Sequence, residues 1–297
     1  LNKEALTKQN QIEHTKTERR VLETIKHPFL MRLHYAFQTN VRSYMVMEFV
    51  NGGELFFHLR QNRRFSEDRA RLYGAEILLA LEKLHDNDII YRDLKPENIL
   101  LSKTGHIVLT DFGLAKDNLN ESGITHTFCG TPEYIAPEVL VNKGHGKPVD
   151  WWSLGTLLFE MIVGIPPFYS TNLQQMYSNI LHNKLKIPSF VSKQAADLCG
   201  KLLRRDPKKR LGTNGAQEIK QHPFFSDHLS FDDVFNMKIK VPFTPEIKDD
   251  YDTRYFDDEF TSLPVDQDSS PQTEQKLDEK DTENNPFEDF SYTAPTV

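Results

Sequence analysis

Cysteine is scarce. The 297 residues contain two, Cys129 and Cys199, too few and too isolated for a disulfide framework or a cysteine-built zinc site, and both are expected as reduced thiols. Long apolar runs are missing as well. No stretch approaches the roughly 20 apolar residues that a membrane-spanning helix needs, and the polar, charged opening from Leu1 to Gln11 is neither a signal nor a transit peptide. No membrane span is expected, and a cytoplasmic or nuclear location is. There is no internal repeat. What is present is an ordinary globular composition, 38% hydrophobic and 27% charged, at a length that allows about two domains.

The net charge of −7 conceals an asymmetry. Residues 244–297 carry sixteen Asp or Glu against four Lys or Arg, a balance of −12, so that residues 1–243 stand at +5. The stretch from Thr261 to Pro286 is polar, acidic and nearly without aliphatic residues, which is expected of a segment that cannot fold alone.

Hydrophobic spacing places the elements. Ile12, Leu22 and Ile25 form one apolar stripe of a surface helix over residues 8–26, ended by His27 and Pro28. Leu33, Tyr35 and Phe37, then Tyr44, Met45, Val46, Met47 and Phe49, predict two strands between Leu30 and Val50, joined by a polar turn over 38–43 and broken by Asn51, Gly52 and Gly53. Ser66 starts a helix whose apolar face runs through Ala70, Tyr73, Ile77, Leu81 and Leu84 to His85. Trp151 to Val163 is apolar almost throughout, as a fully buried helix is, and Gly164, Pro166 and Pro167 stop it. Leu173–Leu181 and Lys193–Leu203 are further helices. Strands first and helices after argue an α+β fold with two lobes.

The run Tyr91, Arg92, Asp93, Leu94, Lys95, Pro96, Glu97, Asn98, followed by Asp111, Phe112, Gly113, carries the chemistry. One loop offers an acid to orient a hydroxyl (Asp93), a cation for a phosphate (Lys95) and an amide oxygen for a metal (Asn98), and Asp111 adds a second metal ligand. This reads as a phosphotransferase. With Tyr91 at the head of the loop, the segment from Thr127 through Cys129, Gly130, Thr131 and Tyr134 to Glu138, the Asp150, Trp151, Trp152 triplet and the ending from Phe287 to Tyr292, the chain resembles the eukaryotic protein kinase superfamily over nearly its whole length. Within it the sequence is similar to the AGC group, near protein kinase B, the serum- and glucocorticoid-regulated kinases and the ribosomal-protein kinases.

The resemblance implies a small β-rich lobe, a large helical lobe and an extended tail, with a catalytic domain over 1–225 and a tail over 226–297 whose hydrophobic motif occupies 287–292. It implies a serine/threonine kinase using ATP and Mg2+, with Asp93 as catalytic base, Lys95 steadying the transferred group and Asn98 and Asp111 holding the metals. Glu18 would pair with a phosphate-binding lysine. Met47 would be the gatekeeper, Glu48 to Val50 the hinge, Glu54 the ribose partner, Leu100 the floor of the adenine pocket and Phe256 its outer cover. Leu22, Leu33, Tyr91 and Phe112 match a column linking the lobes. Glu54, Glu97 and Glu160, with Thr131 beside them, would receive protein substrates bearing arginine N-terminal to the target serine or threonine, because carboxylates pair with guanidinium in two-pronged geometry. Thr127 and Ser291 would be phosphorylated by upstream kinases, the first phosphate collected by Arg92, Lys116 and His14. Phe287 and Phe290 would dock beside the first helix. No nucleic-acid partner is implied.

One part of the family pattern is missing. No glycine-rich strand-turn-strand precedes the first helix, and the family's strand lysine would fall just before Leu1, while Lys3, Lys8 and Lys16 sit at or inside the helical segment. The expectation is an N-terminally incomplete kinase whose 297 residues bind nucleotide poorly. A catalytically inert scaffold and an interaction protein acting through its acidic tail stay open as other readings.

Overall fold

A computed structural model describes residues 1–9, 11–117, 124, 125, 127, 129–263, 287 and 289–295. Of the stretch over 261–286 that was expected not to fold alone, all but residues 261–263 lies outside the described residues.

Local hydrogen bonds decide where the first helices begin and end. Asn2 caps α1 (Lys3–Lys8) by accepting the Ala5 N–H at 3.1 Å. The Gln9 N–H returns to the Ala5 carbonyl and the Gln11 N–H to that of Leu6, so α1 closes before α2 (Ile12–Thr24) opens. The helix expected over 8–26 is thereby corrected to 12–24, and α1 ahead of it was not expected. α2 buries Thr15, Thr17, Val21 and Leu22, and its chain leaves through Ile25 in extended conformation.

β1 (Leu33–Gln38) and β2 (Ser43–Met47) pair antiparallel, with Phe37 opposite Tyr44 and Leu33 opposite Met47. The second strand is shorter than its sequence suggests. The Gly52 N–H and the Gly53 carbonyl are taken by Leu101 at 2.9 Å each, which turns the chain out of the sheet before Phe49 can join it.

From Leu55 to Phe235 helices predominate. α3 (Leu55–Asn62) was not evident in the sequence. α4 (Glu67–Asp86) starts where expected, Ser66 accepting the Arg69 N–H. A short hairpin of β3 (Ile99–Leu101) and β4 (Ile107–Leu109), also not anticipated, carries the chain across the base of the site. After α5 (Pro137–Leu140) comes α6 (Pro148–Val163), buried on nearly every side. Gly164 ends it at φ 97°, in the left-handed region that favours glycine, and a Cβ there would meet the Arg63 carbonyl oxygen at 2.4 Å. α7 (Leu173–His182) and α8 (Lys193–Leu202) match the expected pair within a residue. α9 (Gln217–Lys220), α10 (Pro223–Ser226) and α11 (Phe231–Phe235) finish this body. Arg210, fully buried, grips Glu138 with both guanidinium nitrogens at 2.7 and 2.8 Å and so ties the segment before α9 to α5.

The tail then wraps back. Phe243 covers the Arg69 guanidinium at 3.8 Å, with Phe65 3.9 Å away, and Phe256, just before α12 (Asp258–Thr261), stacks on Phe49 at 5.4 Å. At its far end Phe287 and Phe290 are buried edge to face. β5 (Tyr292–Thr293) adds to the free side of β1, giving the order β2-β1-β5. The ring burial was expected; the strand was not. It forms because β1 has an open ladder edge, which any nearby extended segment can complete.

Removing the Phe290 ring should release this end. A buried Phe cut back to Ala costs about 3–5 kcal/mol, more than a two-residue strand can replace. In Phe290→Ala the Ala294 amide, bonded to the His34 carbonyl, should exchange with solvent at least about a hundredfold faster, as hydrogen-exchange mass spectrometry would read. Unchanged protection would show that the rings do not hold the tail.

Candidate active site

The hairpin register assembles the first pair of groups. Ile99 faces Leu109, and beyond them the Thr110 N–H donates to the Asn98 carbonyl at 3.0 Å. Asn98 before the hairpin and Asp111 after it are thus brought to the same end. The Asn98 amide nitrogen is spent on the Asp93 carbonyl (2.9 Å) and Asp93 Oδ2 (2.8 Å), leaving its oxygen available. Asp111 is exposed and uses one carboxylate oxygen to accept the Gly113 N–H. An amide oxygen and a carboxylate are the hard donors that magnesium takes, so the two residues suit that ion.

Asp93 is the best-held group in the site. Its Oδ2 also accepts from Lys95 Nζ at 2.8 Å, and its Oδ1 lies 3.3 Å from the Thr131 hydroxyl. The loop that carries it is shaped by a residue to which the sequence assigned no role. Asp150, with no exposed surface, accepts the N–H groups of Tyr91 and Arg92 at 2.9 Å each and lies 2.7 Å from His85 Nε2. These bonds hold Arg92 at φ 68°, and Asp111 stands at φ 56°. A non-glycine residue in that region costs on the order of 1 kcal/mol or more and persists only where its surroundings enforce it. The available signal was an acid at the head of an otherwise apolar helix.

Glu18 reaches the same region from α2. Burial pushes its carboxyl up to about 7 and the Asp111 carboxylate pushes the same way, while a bond from the Phe112 N–H opposes both. No lysine faces it among the described residues: Lys3 bonds Gln38, Lys8 pairs with Glu4 and Lys16 with Glu13. The expected column is in place in part, since Leu22, Leu33, Tyr91 and Phe112 are all buried and the last two rings meet at 5.6 Å. On the far side Met47 is exposed at the end of β2. Val50 is buried, Leu100 is half-buried on β3 with Glu54 bridged to it, and Glu48 donates its N–H to Arg32. Burial raises the Glu48 carboxyl above its ordinary range.

A second group of carboxylates gathers beside Asp93. Tyr134 donates its hydroxyl to Glu160. Burial raises Glu160 to about 7 against that bond, and Glu97 and Glu133 raise it further; Glu54, largely exposed, is raised by desolvation and by Glu97. The three glutamates singled out in the sequence therefore form one patch, and Glu133 joins them unannounced. The expected phosphate cradle is not assembled in this state. Thr127 is exposed and its hydroxyl meets Thr125 at 3.5 Å, His14 bonds Gln11, and Arg92 Nε donates to the Leu114 carbonyl rather than to any carboxylate. Lys116 is exposed, its backbone laced to Ile90. Ser291 is exposed behind the two buried rings, its carbonyl accepting from Arg19.

The protein kinase domain family matches residues 1–225, and the protein kinase C terminal domain family matches residues 247–292. The chain is similar to Protein kinase 2 of Dictyostelium discoideum, 51% identical over 300 residues that take in 100% of this chain and 61% of the relative. It is 47% identical over 297 residues to RAC-beta serine/threonine-protein kinase A of Xenopus laevis, covering 99% of this chain and 61% of that one. It is 51% identical over 267 residues to serine/threonine-protein kinase Sgk1 of Xenopus tropicalis, covering 89% and 64%. The chain thus spans somewhat under two thirds of the length of these curated relatives.

The raised Glu160 carboxyl has a consequence for stability. Its folded value, about 7, lies above the ordinary 4.5, so the native protein keeps a proton that the unfolded chain gives up. Stability from this group is present below the ordinary value and is lost as pH rises through the folded one. Glu160→Gln has no such proton, so its stability should fall less than the wild type's between about pH 4.5 and 7. Denaturant midpoints at both ends of that window check it; parallel declines would overturn the assignment.

Proposed function

The chain belongs to the protein kinase family, in its AGC group, and from that premise we propose that the protein carrying it transfers the γ-phosphoryl group of ATP to serine or threonine hydroxyls of other proteins. The observation that carries this reading is the convergence on one loop and one hairpin of a buried, triply held carboxylate, a lysine and two oxygen donors suited to magnesium. Bound between Asn98 and Asp111, magnesium would neutralise charge on the nucleotide phosphates. Asp93, which already accepts the Thr131 hydroxyl, would accept a substrate hydroxyl in the same way. It aims the oxygen at phosphorus and takes the proton as the new O–P bond forms and the bond to the departing diphosphate breaks. Lys95 would follow the charge on the transferred group, and orientation and electrostatics would supply most of the acceleration.

The adenine contacts belong to the same proposal. Glu48 to Val50 would offer backbone groups, Met47 and Leu100 the walls and Glu54 a ribose partner, and the stacking of Phe256 on Phe49 supports a tail segment that closes the site from outside. Among the described residues, Lys95 and the metal ligands Asn98 and Asp111 would hold the nucleotide phosphates. Upstream kinases acting on exposed Thr127 and Ser291 would complete the control. A guanidinium nitrogen of Arg92, buried without a partner, supports a later role for it as a phosphate ligand.

Asp111→Ala removes a charged metal ligand without touching the core. Peptide phosphorylation by the full protein should fall by orders of magnitude while the melting temperature holds. Turnover near wild type in the folded variant would sink the assignment.

The acidic patch supports, as the substrate class, proteins with arginine N-terminal to the target hydroxyl. Glu97→Gln should cost such peptides about 1–3 kcal/mol in kcat/KM, the scale of one lost charge-assisted contact, and should leave peptides lacking arginine nearly unaffected. An equal loss in both peptide classes would make Glu97 a structural residue instead.

A further inference from the structure

Glu18 has no ion pair among the described residues, and the carboxylate beside it belongs to Asp111. Besides the bond that Glu18 accepts from the Phe112 N–H, a charged link holds α2 to the catalytic segment. Arg20 supplies it. Its Nε donates to Asp117 Oδ2 at 3.0 Å and its Nη2 to Asp117 Oδ1 at 3.3 Å, a two-pronged pair. Nη2 also donates to the Thr17 hydroxyl one turn back, at 3.2 Å, which fixes the direction of the fork. Asp117 is well placed to transmit the pull, because its neighbour Lys116 exchanges two backbone hydrogen bonds with Ile90, at 2.8 and 3.0 Å. Ile90 leads directly into Tyr91 and Arg92, whose amides rest on buried Asp150. The charged groups nearest Arg20 on its own helix are turned elsewhere: Arg19 pairs with Glu23 and bonds the Ser291 carbonyl.

We propose that Arg20 is a positioning residue: its pair with Asp117 seats α2 against the segment that carries Asp111 and the catalytic loop, so that the placement of Glu18 is set by a charge pair outside the nucleotide site. The proposal rests on the reading of Asp93 and Asp111 given above for its effect on turnover, but not for its effect on the helix. Arg20 is 45% exposed in its side chain, so the link is of the kind that salt weakens and that contributes severalfold rather than a thousandfold.

The test uses the full protein carrying this chain. Arg20→Glu sets two carboxylates face to face. Exchange of the α2 amides, read without nucleotide, should become about tenfold faster, and kcat should fall by a similar factor with KM for the peptide unchanged. Arg20→Gln should show about a threefold loss at low ionic strength that disappears near about 0.5 M salt. The swapped pair, Arg20→Glu with Asp117→Arg, should restore both exchange and kcat to within about twofold. Unaltered α2 exchange in Arg20→Glu, or a swapped pair no better than either single variant, overturns the proposal. A wild-type protein without phosphotransfer would instead refute the reaction assigned above, and the exchange measurement would still decide the link.

Discussion

A single buried carboxylate organises this molecule's chemistry. Asp150 sits with no solvent contact at the start of α6 and needs hydrogen-bond partners there, since a buried polar group left unpaired costs several kcal/mol. Its partners are the backbone amides of Tyr91 and Arg92 and the ring of His85. Meeting that demand forces Arg92 into a left-handed conformation and throws Asp93 to the front of the loop. The reactive geometry is thus a by-product of satisfying one acid in the core, and it is as rigid as the helix that holds the acid.

The charge logic around that centre is uneven. Asp93 is compensated by Lys95 and by amide and hydroxyl donors, whereas Asp111, Glu18 and the Glu97–Glu133–Glu160 group face mainly one another. Burial alone raises a carboxyl, and crowding raises it further. Such groups suit cations, which under the proposed function are metal on one side and guanidinium on the other. The tail answers a different deficit. β1 would present an open edge, and the two rings and the short strand at the chain's end cover it.

Much of this was legible before any coordinates. Ser66, the apolar run from Trp151 to Val163 and Gly164 predicted two helices and their ends, because capping and burial act over a few residues. Asp93, Lys95, Asn98 and Asp111 could be named as a set because they fall in two short runs, Tyr91–Asn98 and Asp111–Gly113, that resemble the protein kinase pattern. What failed did so for identifiable reasons. The 8–26 segment has helical spacing throughout, and only the particular bonds of Gln9 and Gln11 close α1 and delay the start of α2 to Ile12. β3 and β4 are three residues each, below the length at which alternation can be recognised. β5 exists solely because β1 lies beside it.

By itself, the sequence determined the α+β class, the longer helices, the first two strands and the family to which the chain belongs, since these depend on residue type and local spacing. Tertiary structure alone decided that Asp150 shapes the loop, that Glu133 joins Glu97 and Glu160 in one patch, that Glu18 meets Asp111, and that Arg20 reaches Asp117. Each of these is a contact between residues brought together by packing, most of them far apart in the chain. Its strength is set by burial and distance, neither of which is written in the spacing of residues along one strand or helix.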